Sequence, residues 1–298
     1  MNTPFDDMTR WIGNRTQSDD VITPSSCAAM AATLGWVGPP PRDGEAIGPL
    51  WHWMYFTDKA RSGQLGADGH PVRGGFLPPI ALPRRMFAGA RVRFDAPLYV
   101  GEKIHRHSEI TAIAAKKGRS GALVFVTIRH RIEGPQGPAL EEEHDIVFRG
   151  ARSAQDGSPE PKPFTGAVTR RRRVMPDPVL LFRYSALTFN GHRIHYDHPY
   201  ATHVEGYPDL VVHGPLIATL LADFAREAAP ERSLASFTFR AKAPLFANRS
   251  FDIVALEEGG DHDNAPDTDA RARVCALTPE GARAMEASAT FHVRPPVG

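Results

Sequence analysis

Five of the chain's thirteen histidines fall between His192 and His213, in the segment LTFNGHRIHYDHPYATHVEGYPDLVVHGPL (187–216). An imidazole titrates near neutrality and can both take and give a proton. His195 is the candidate acid–base residue. Asp197 stands two residues on and can orient it or share a water, while Asn190 can hold a water or a carbonyl but cannot act as a base. The Asn190-Gly191 turn dipeptide and Pro199 place His192, His195 and Asp197 on a loop or broken turn, where catalytic groups concentrate. The competing reading makes His195 a core histidine bonded to backbone; the polar company around it favours the catalytic one. His192, His195 and His198 also recur every three residues, but that spacing gathers metal ligands only on a helix. Gly191 and Pro199 oppose a helix, so no metal site is expected.

Val212-His213-Gly214-Pro215 opens an apolar stretch and reads as a helix start. Free N–H groups there favour negative charge, so the Gly214 amide is the candidate donor to a developing enolate, and a missing side chain lets a substrate come close. His192 and His213 flank these groups as candidate substrate contacts. Arg183 and Arg193 are the cations nearest the cluster; either could hold a substrate carboxylate or simply form a surface salt bridge. Arg170–Arg173 reads as a solvated linker face, with a grip on phosphates as the alternative. Trp51, Trp53, Tyr55 and Phe56 read as core or as packing between halves. No phosphate loop, dinucleotide fingerprint or nucleophile elbow occurs.

The elements that must carry these groups repeat. Residues 94–101 (FDAPLYVG) and 241–248 (AKAPLFAN) share an Ala-Pro-Leu-aromatic core. Alternating apolar segments lie around both, at 90–94, 102–113, 121–132 and 144–150, then at 236–240, 249–258, 270–278 and 287–295. Such alternation predicts half-buried strands. GPLIATLLADFAREAA (214–229) reads as a buried helix, the proline-rich 74–89 as its poor counterpart, and 24–36 as a second first-half helix with a Ser cap signal and a Gly stop. The reading is α+β: a first domain over 1–152, a linker over 153–173, and a second domain over 174–298 that holds the one active site, roofed by the first.

With 298 residues, 42% hydrophobic, and a net charge of +1, the chain is neither disordered nor basic enough to coat nucleic acid or an anionic membrane. Two cysteines, no visible secretory signal and no span-length apolar run lead to the expectation of a soluble cytoplasmic protein. An unpaired sheet edge would allow a homodimer.

FRYSALTFNGHRIHYDHPYA (182–201) and LVVHGPLIATLLADF (210–224) resemble the MaoC-like enoyl-thioester hydratases and dehydratases. The likeness is strongest to the duplicated branch that includes mesaconyl-CoA and itaconyl-CoA hydratases and mitochondrial-type 3-hydroxyacyl-thioester dehydratases; RMFAGARVRFDAPLYVGEKI (85–104) resembles that branch's first domain. The resemblance implies a double hot-dog, two antiparallel sheets each wrapped around a central helix. It puts the catalytic His on His195 and the motif's last Asp on Asp197; the superfamily's catalytic Asp position carries Asn190, and its Asn position His192. That departure leaves the second protonic group open between Asp197 and His192. The implied activity is reversible addition of water to an enoyl-CoA, with a C5 dicarboxylic acyl-CoA (mesaconyl-CoA or itaconyl-CoA, giving citramalyl-CoA) as the favoured substrate. CoA enters as part of the substrate, and no other cofactor is implied. The alternatives are a 3-hydroxyacyl-thioester dehydratase of fatty-acid synthesis, a thioesterase, and a non-catalytic acyl-CoA-binding protein.

Overall fold

Eight alternating segments become strands, and two polar segments that show no alternation join them. The computed structural model describes residues 6–118, 121–151, 162–257 and 271–292. The first half supplies β1 (Arg15–Val21), β2 (Arg84–Phe94), β3 (Lys103–Gly118), β4 (Gly121–Gly134) and β5 (Gly137–Arg149). The second supplies β6 (Val168–Val174), β7 (Leu234–Ala241), β8 (Phe251–Leu256), β9 (Arg271–Leu277) and β10 (Arg283–Phe291). All pairings are antiparallel, in the order β1-β3-β4-β5-β2-β7-β10-β9-β8-β6. The two five-stranded sets therefore merge edge to edge through β2 and β7, where Gly89–Arg93 faces Ser236–Arg240.

The duplication is visible in individual hydrogen bonds. Asp95 and Ala96 donate to the Ala139 carbonyl after β2, as Lys242 and Ala243 donate to Ala284 after β7. Ile47 N–H donates to Leu98 as Val212 N–H donates to Leu245, and the bridges Ala46–Tyr99 and Val211–Phe246 occupy matching places. Helix α1 (Pro24–Leu34) follows β1 as α2 (Pro178–Leu187) follows β6, and these two helices pack together.

The halves differ in the central helix. In the second half α3 (Gly214–Arg226) buries Leu216, Ile217, Leu221 and Phe224 against the sheet. In the first half the place of α3 after Ile47 is taken by a short 3-10 turn, Trp51–Met54. Leu50 and Phe56 bracket that turn with positive φ (64° and 59°), a conformation that cannot propagate a right-handed helix.

Three expectations change. The 74–89 segment forms no helix, and Arg84–Gly89 belongs to β2, as the prolines at 78, 79 and 83 favour. The cap of α1 is Thr23, whose Oγ1 accepts from Ser26 N–H, with Gly35 left-handed at the other end. The expected linker ends early: 153–161 lies outside the described residues, and Val168–Val174 is strand β6. Its arginines are engaged, Arg171 and Arg173 with Asp252, Arg172 with Glu227, and Arg170 with the Phe224 carbonyl and ring.

Candidate active site

Two bonds pin the His195 loop to the segment that leads into α3, and a third ties that segment to Leu245. Val211 N–H donates to the Ile194 carbonyl at 2.9 Å, Val212 N–H to Leu245 at 2.8 Å, and His195 Nδ1–H to the Val211 carbonyl at 2.7 Å. The last bond fixes the tautomer and leaves Nε2 with its lone pair free to take a proton. The His195 ring stacks on His213, the residue that precedes Gly214, with centroids 3.7 Å apart. His213 is itself held by Ser185 at 2.8 Å and lies beside Tyr184. Gly214 is half-buried, and a β-carbon there would stand 3.1 Å from the Phe87 ring of β2. The amide end of α3 thus opens between the imidazoles and an aromatic wall.

Burial sets the protonation states. It lowers His195 to about 4, His192 to about 2, and His213 well below its ordinary value; charges on neighbouring histidines add to the effect. All three are neutral at pH 7, so His195 is able to accept a proton and none serves as a standing cation.

The other expected residues divide. His192 joins the centre, its ring 5.4 Å from that of His195 and its Nε2 buried without a hydrogen-bond partner. Asn190 Oδ1 accepts from His192 N–H at 3.0 Å, closing the turn that presents both histidines. Asp197 is occupied elsewhere: its oxygens accept from Arg193 at 2.7 Å and from Tyr200 N–H at 3.1 Å. Arg193 is tied to Asp197, to the Ala67 carbonyl and over the Tyr200 ring. Arg183 lies exposed on α2, whose buried side carries Leu181, Tyr184 and Ser185. His198 is exposed and 3.6 Å from Asp209, so the three-residue histidine series does not converge.

The roof comes from a first-half segment whose role the sequence reading missed. Arg193 N–H donates to Asp68, and Gly69 lies back to back with Gly191. Asp68 holds His70, whose ring is 4.4 Å from His192; the ligand atoms of Asp68, His70 and His192 all lie within 4.8 Å. Hydrogen bonds from His70 outweigh burial and lower Asp68 to about 2. Arg84 was missed too; it is paired with Glu205 at 2.9 Å and with the Tyr207 hydroxyl at 2.6 Å. One signal was available: Arg84 and Arg85 are adjacent on a strand, so their side chains leave by opposite faces.

A cleft of about 950 Å³ runs past Arg84, Tyr207 and Leu245, with Lys242, Arg249 and Arg283 along it. His195 does not line this cleft. Two of its lining residues are hydrogen-bonded to the segments around the site: Leu245 accepts from Val212 N–H, and Tyr207 N–H donates to Ala201.

Solved structures place the fold. A MaoC-like dehydratase superimposes with a TM-score of 0.70 over 97% of this chain and 100% of its own, at 13% identity. A Mycobacterium tuberculosis protein described as having a double hotdog fold gives 0.62 over 97% of each chain, at 14% identity. The architecture is thus that of the double hot-dog, MaoC-like class. The family model for hydroxyacyl-thioester dehydratase type 2 matches residues 50–247, and the chain belongs to that family of hydro-lyases. Among curated relatives, the mesaconyl-C(4)-CoA hydratase of Chloroflexus aurantiacus is 47% identical over 284 residues, 95% of this chain and 97% of the relative. The mitochondrial hydroxyacyl-thioester dehydratase type 2 of Schizosaccharomyces pombe is 27% identical over 79% of this chain and 83% of its own.

Proposed function

We propose that the chain adds water reversibly across the double bond of a C5 dicarboxylic enoyl-CoA, with mesaconyl-C(4)-CoA as its leading substrate. The observation that carries the chemistry is the His195 ring, locked by Val211 and stacked on the residue before Gly214. The substrate class rests on the 47% identity to the Chloroflexus hydratase over nearly all of both chains.

In this reading the thioester carbonyl takes the Gly214 amide at the start of α3. His195 Nε2 removes a proton from water as the oxygen attacks Cβ, and the N–H groups of α3 hold the enolate charge that forms. The proton on His195 then returns to Cα, which completes the addition and restores the neutral imidazole. Asn190 positions His192 and the turn, and His213 supports the His195 ring; neither is assigned a proton transfer. The pantetheine and nucleotide leave along the basic cleft past Lys242, Arg249 and Arg283. The reaction uses no resident cofactor.

Steady-state assays with mesaconyl-C(4)-CoA, itaconyl-CoA and crotonyl-CoA test the reading. A kcat/KM at least about 100-fold higher for a carboxylated substrate is expected. Equal turnover of crotonyl-CoA removes the dicarboxylic substrate, and release of free CoA thiol in place of hydration removes the hydratase.

The cellular setting we propose is cytoplasmic, and among the described residues no helix is long and apolar enough to cross a membrane. A homodimer is retained as a proposal to be tested by light scattering. Edge pairing does not support it, because both open edges carry charge: Asp19 and Asp20 on β1, Arg170–Arg173 on β6.

A further inference from the structure

In mesaconyl-C(4)-CoA the free carboxylate is attached to the carbon that receives the hydroxyl. A receptor for it must therefore stand beside His195, on the wall opposite the thioester. The two arginines expected there are engaged or exposed, Arg193 with Asp197 and Arg183 on the outer side of α2, and Arg84 is paired with Glu205 and Tyr207.

Arg85 fits the position. Phe87 closes on Gly214, and Arg85 stands two residues earlier on β2, so its side chain leaves by the same face. Its side chain is half-buried. Among the described residues its guanidinium has no hydrogen bond and no carboxylate within ion-pair distance, although Asp68, His70 and His192 are close enough to feel its charge. Arg73 nearby is spent on the carbonyls of Ile80, Leu82 and Pro83, and the carboxylates of Asp68 and Asp58 act on Arg85 only from a distance. A buried guanidinium left unpaired is costly, and a carboxylate that arrives with the substrate recovers that cost.

We propose that Arg85 is the receptor for the substrate's free carboxylate, with the unpartnered Nε2 of His192 as its second donor. The inference rests on the substrate class proposed above. His192 is neutral, so it offers an N–H rather than a charge, and Arg85, lowered to about 10 by burial, remains charged at pH 7. The Asp68, His70 and His192 trio would otherwise suit a divalent cation, but a guanidinium on the same side repels one.

The test compares wild type, Arg85→Gln and Arg85→Lys on mesaconyl-C(4)-CoA and crotonyl-CoA. In Arg85→Gln the ratio of the two kcat/KM values should fall about 100-fold, the scale of losing one buried charge pair, and Arg85→Lys should recover part of it. Competitive inhibition by methylsuccinyl-CoA should weaken by a similar factor relative to butyryl-CoA, a binding readout that does not depend on turnover. Equal losses on both substrates and both inhibitors would overturn the assignment while leaving the hydratase reading intact. A wild-type enzyme with no preference for the carboxylated substrate would overturn the substrate class, and Arg85's role with it.

Discussion

The imidazoles of His195 and His213 lie face to face, 3.7 Å between centres and 19° from parallel. Two rings so placed, both buried, cannot carry two positive charges, and burial holds both below their ordinary range. His70, His130 and His192 are shifted the same way, with His130 at about 3. In the unfolded chain these rings bind protons near 6.5, while in the folded chain His195 does so only near 4. Below 6.5 the unfolded state therefore holds more protons, and stability falls as pH drops through that window. Asp223, raised to about 7 by burial, acts in the opposite sense but is one group against five. Thermal melts should show a midpoint that is steady above pH 7 and falls steeply between 6.5 and 5; a flat midpoint across that range would show that the rings are not buried neutral.

Because the Val211 carbonyl accepts the hydrogen bond from Nδ1–H, Nε2 of His195 is free to accept a proton at every pH above its folded value. His195→Ala should lower kcat by about 100- to 10,000-fold, the usual range for a positioned acid–base group. Product affinity, measured by calorimetry with citramalyl-CoA, should change only a few-fold. In the wild type, kcat/KM should be level from pH 5.5 to 8 on the acid side of the profile. An acid limb near 6.5 would mean that the imidazole titrates as an exposed one and that its burial is not maintained in solution.

What could be read from the chain follows from where the apolar residues had to go. β4 and β7 announce themselves because one face of each is buried, and α3 because its sides meet the sheet and the core. β1 and β6 were invisible because they are the two edges of the sheet, where charge replaces alternation; Arg170–Arg173 looked like linker for that reason. At the site, His195, His192 and Gly214 were legible as a polar cluster beside a helix start. Asp197 and Arg193 satisfy each other at 2.7 Å, which residue spacing alone does not show. Asp68, His70 and Arg85 come from more than a hundred residues away, and only the closure of the first half over the second brings them in.

That closure has a tight point. Gly69 has φ +88°, and a β-carbon there would lie 1.9 Å from the Gly191 carbonyl oxygen; one on Gly191 would lie 2.7 Å from the Gly69 carbonyl oxygen. Both obstacles are backbone and cannot rotate away. Gly69→Ala must lift the Asp68–His70 segment from the His192 turn and break the bond from Arg193 N–H to Asp68. Since that segment covers the site, KM for the acyl-CoA should rise about tenfold or more and kcat should fall, while the urea midpoint shifts modestly. Retention of wild-type kinetics in both Gly69→Ala and Gly191→Ala would mean that the roof is not part of the working site.

The first half carries its own buried polar centre in place of a central helix. Glu142 on β5 is 1% exposed; its Oε2 accepts from His52 Nε2 at 2.9 Å and from Trp53 Nε1 at 3.0 Å, and His144 Nδ1 lies 3.2 Å from Oε1. These contacts outweigh burial and keep the carboxylate ionised well below its ordinary range. The single turn Trp51–Met54 is therefore anchored to the sheet by a charge where α3 is anchored by apolar packing. Glu142→Ala leaves the buried His52, the half-buried His144 and an indole N–H facing a void, and should cost about 3–5 kcal/mol in urea unfolding, the range for breaking one side of a buried pair. Glu142→Gln, which keeps the shape and one acceptor, should cost clearly less. His144 packs on Phe87 at 4.3 Å, and Phe87 is the wall facing Gly214, so the alanine variant should also raise KM. A Glu142→Ala protein as stable as wild type would mean that the turn is held by its aromatic packing alone.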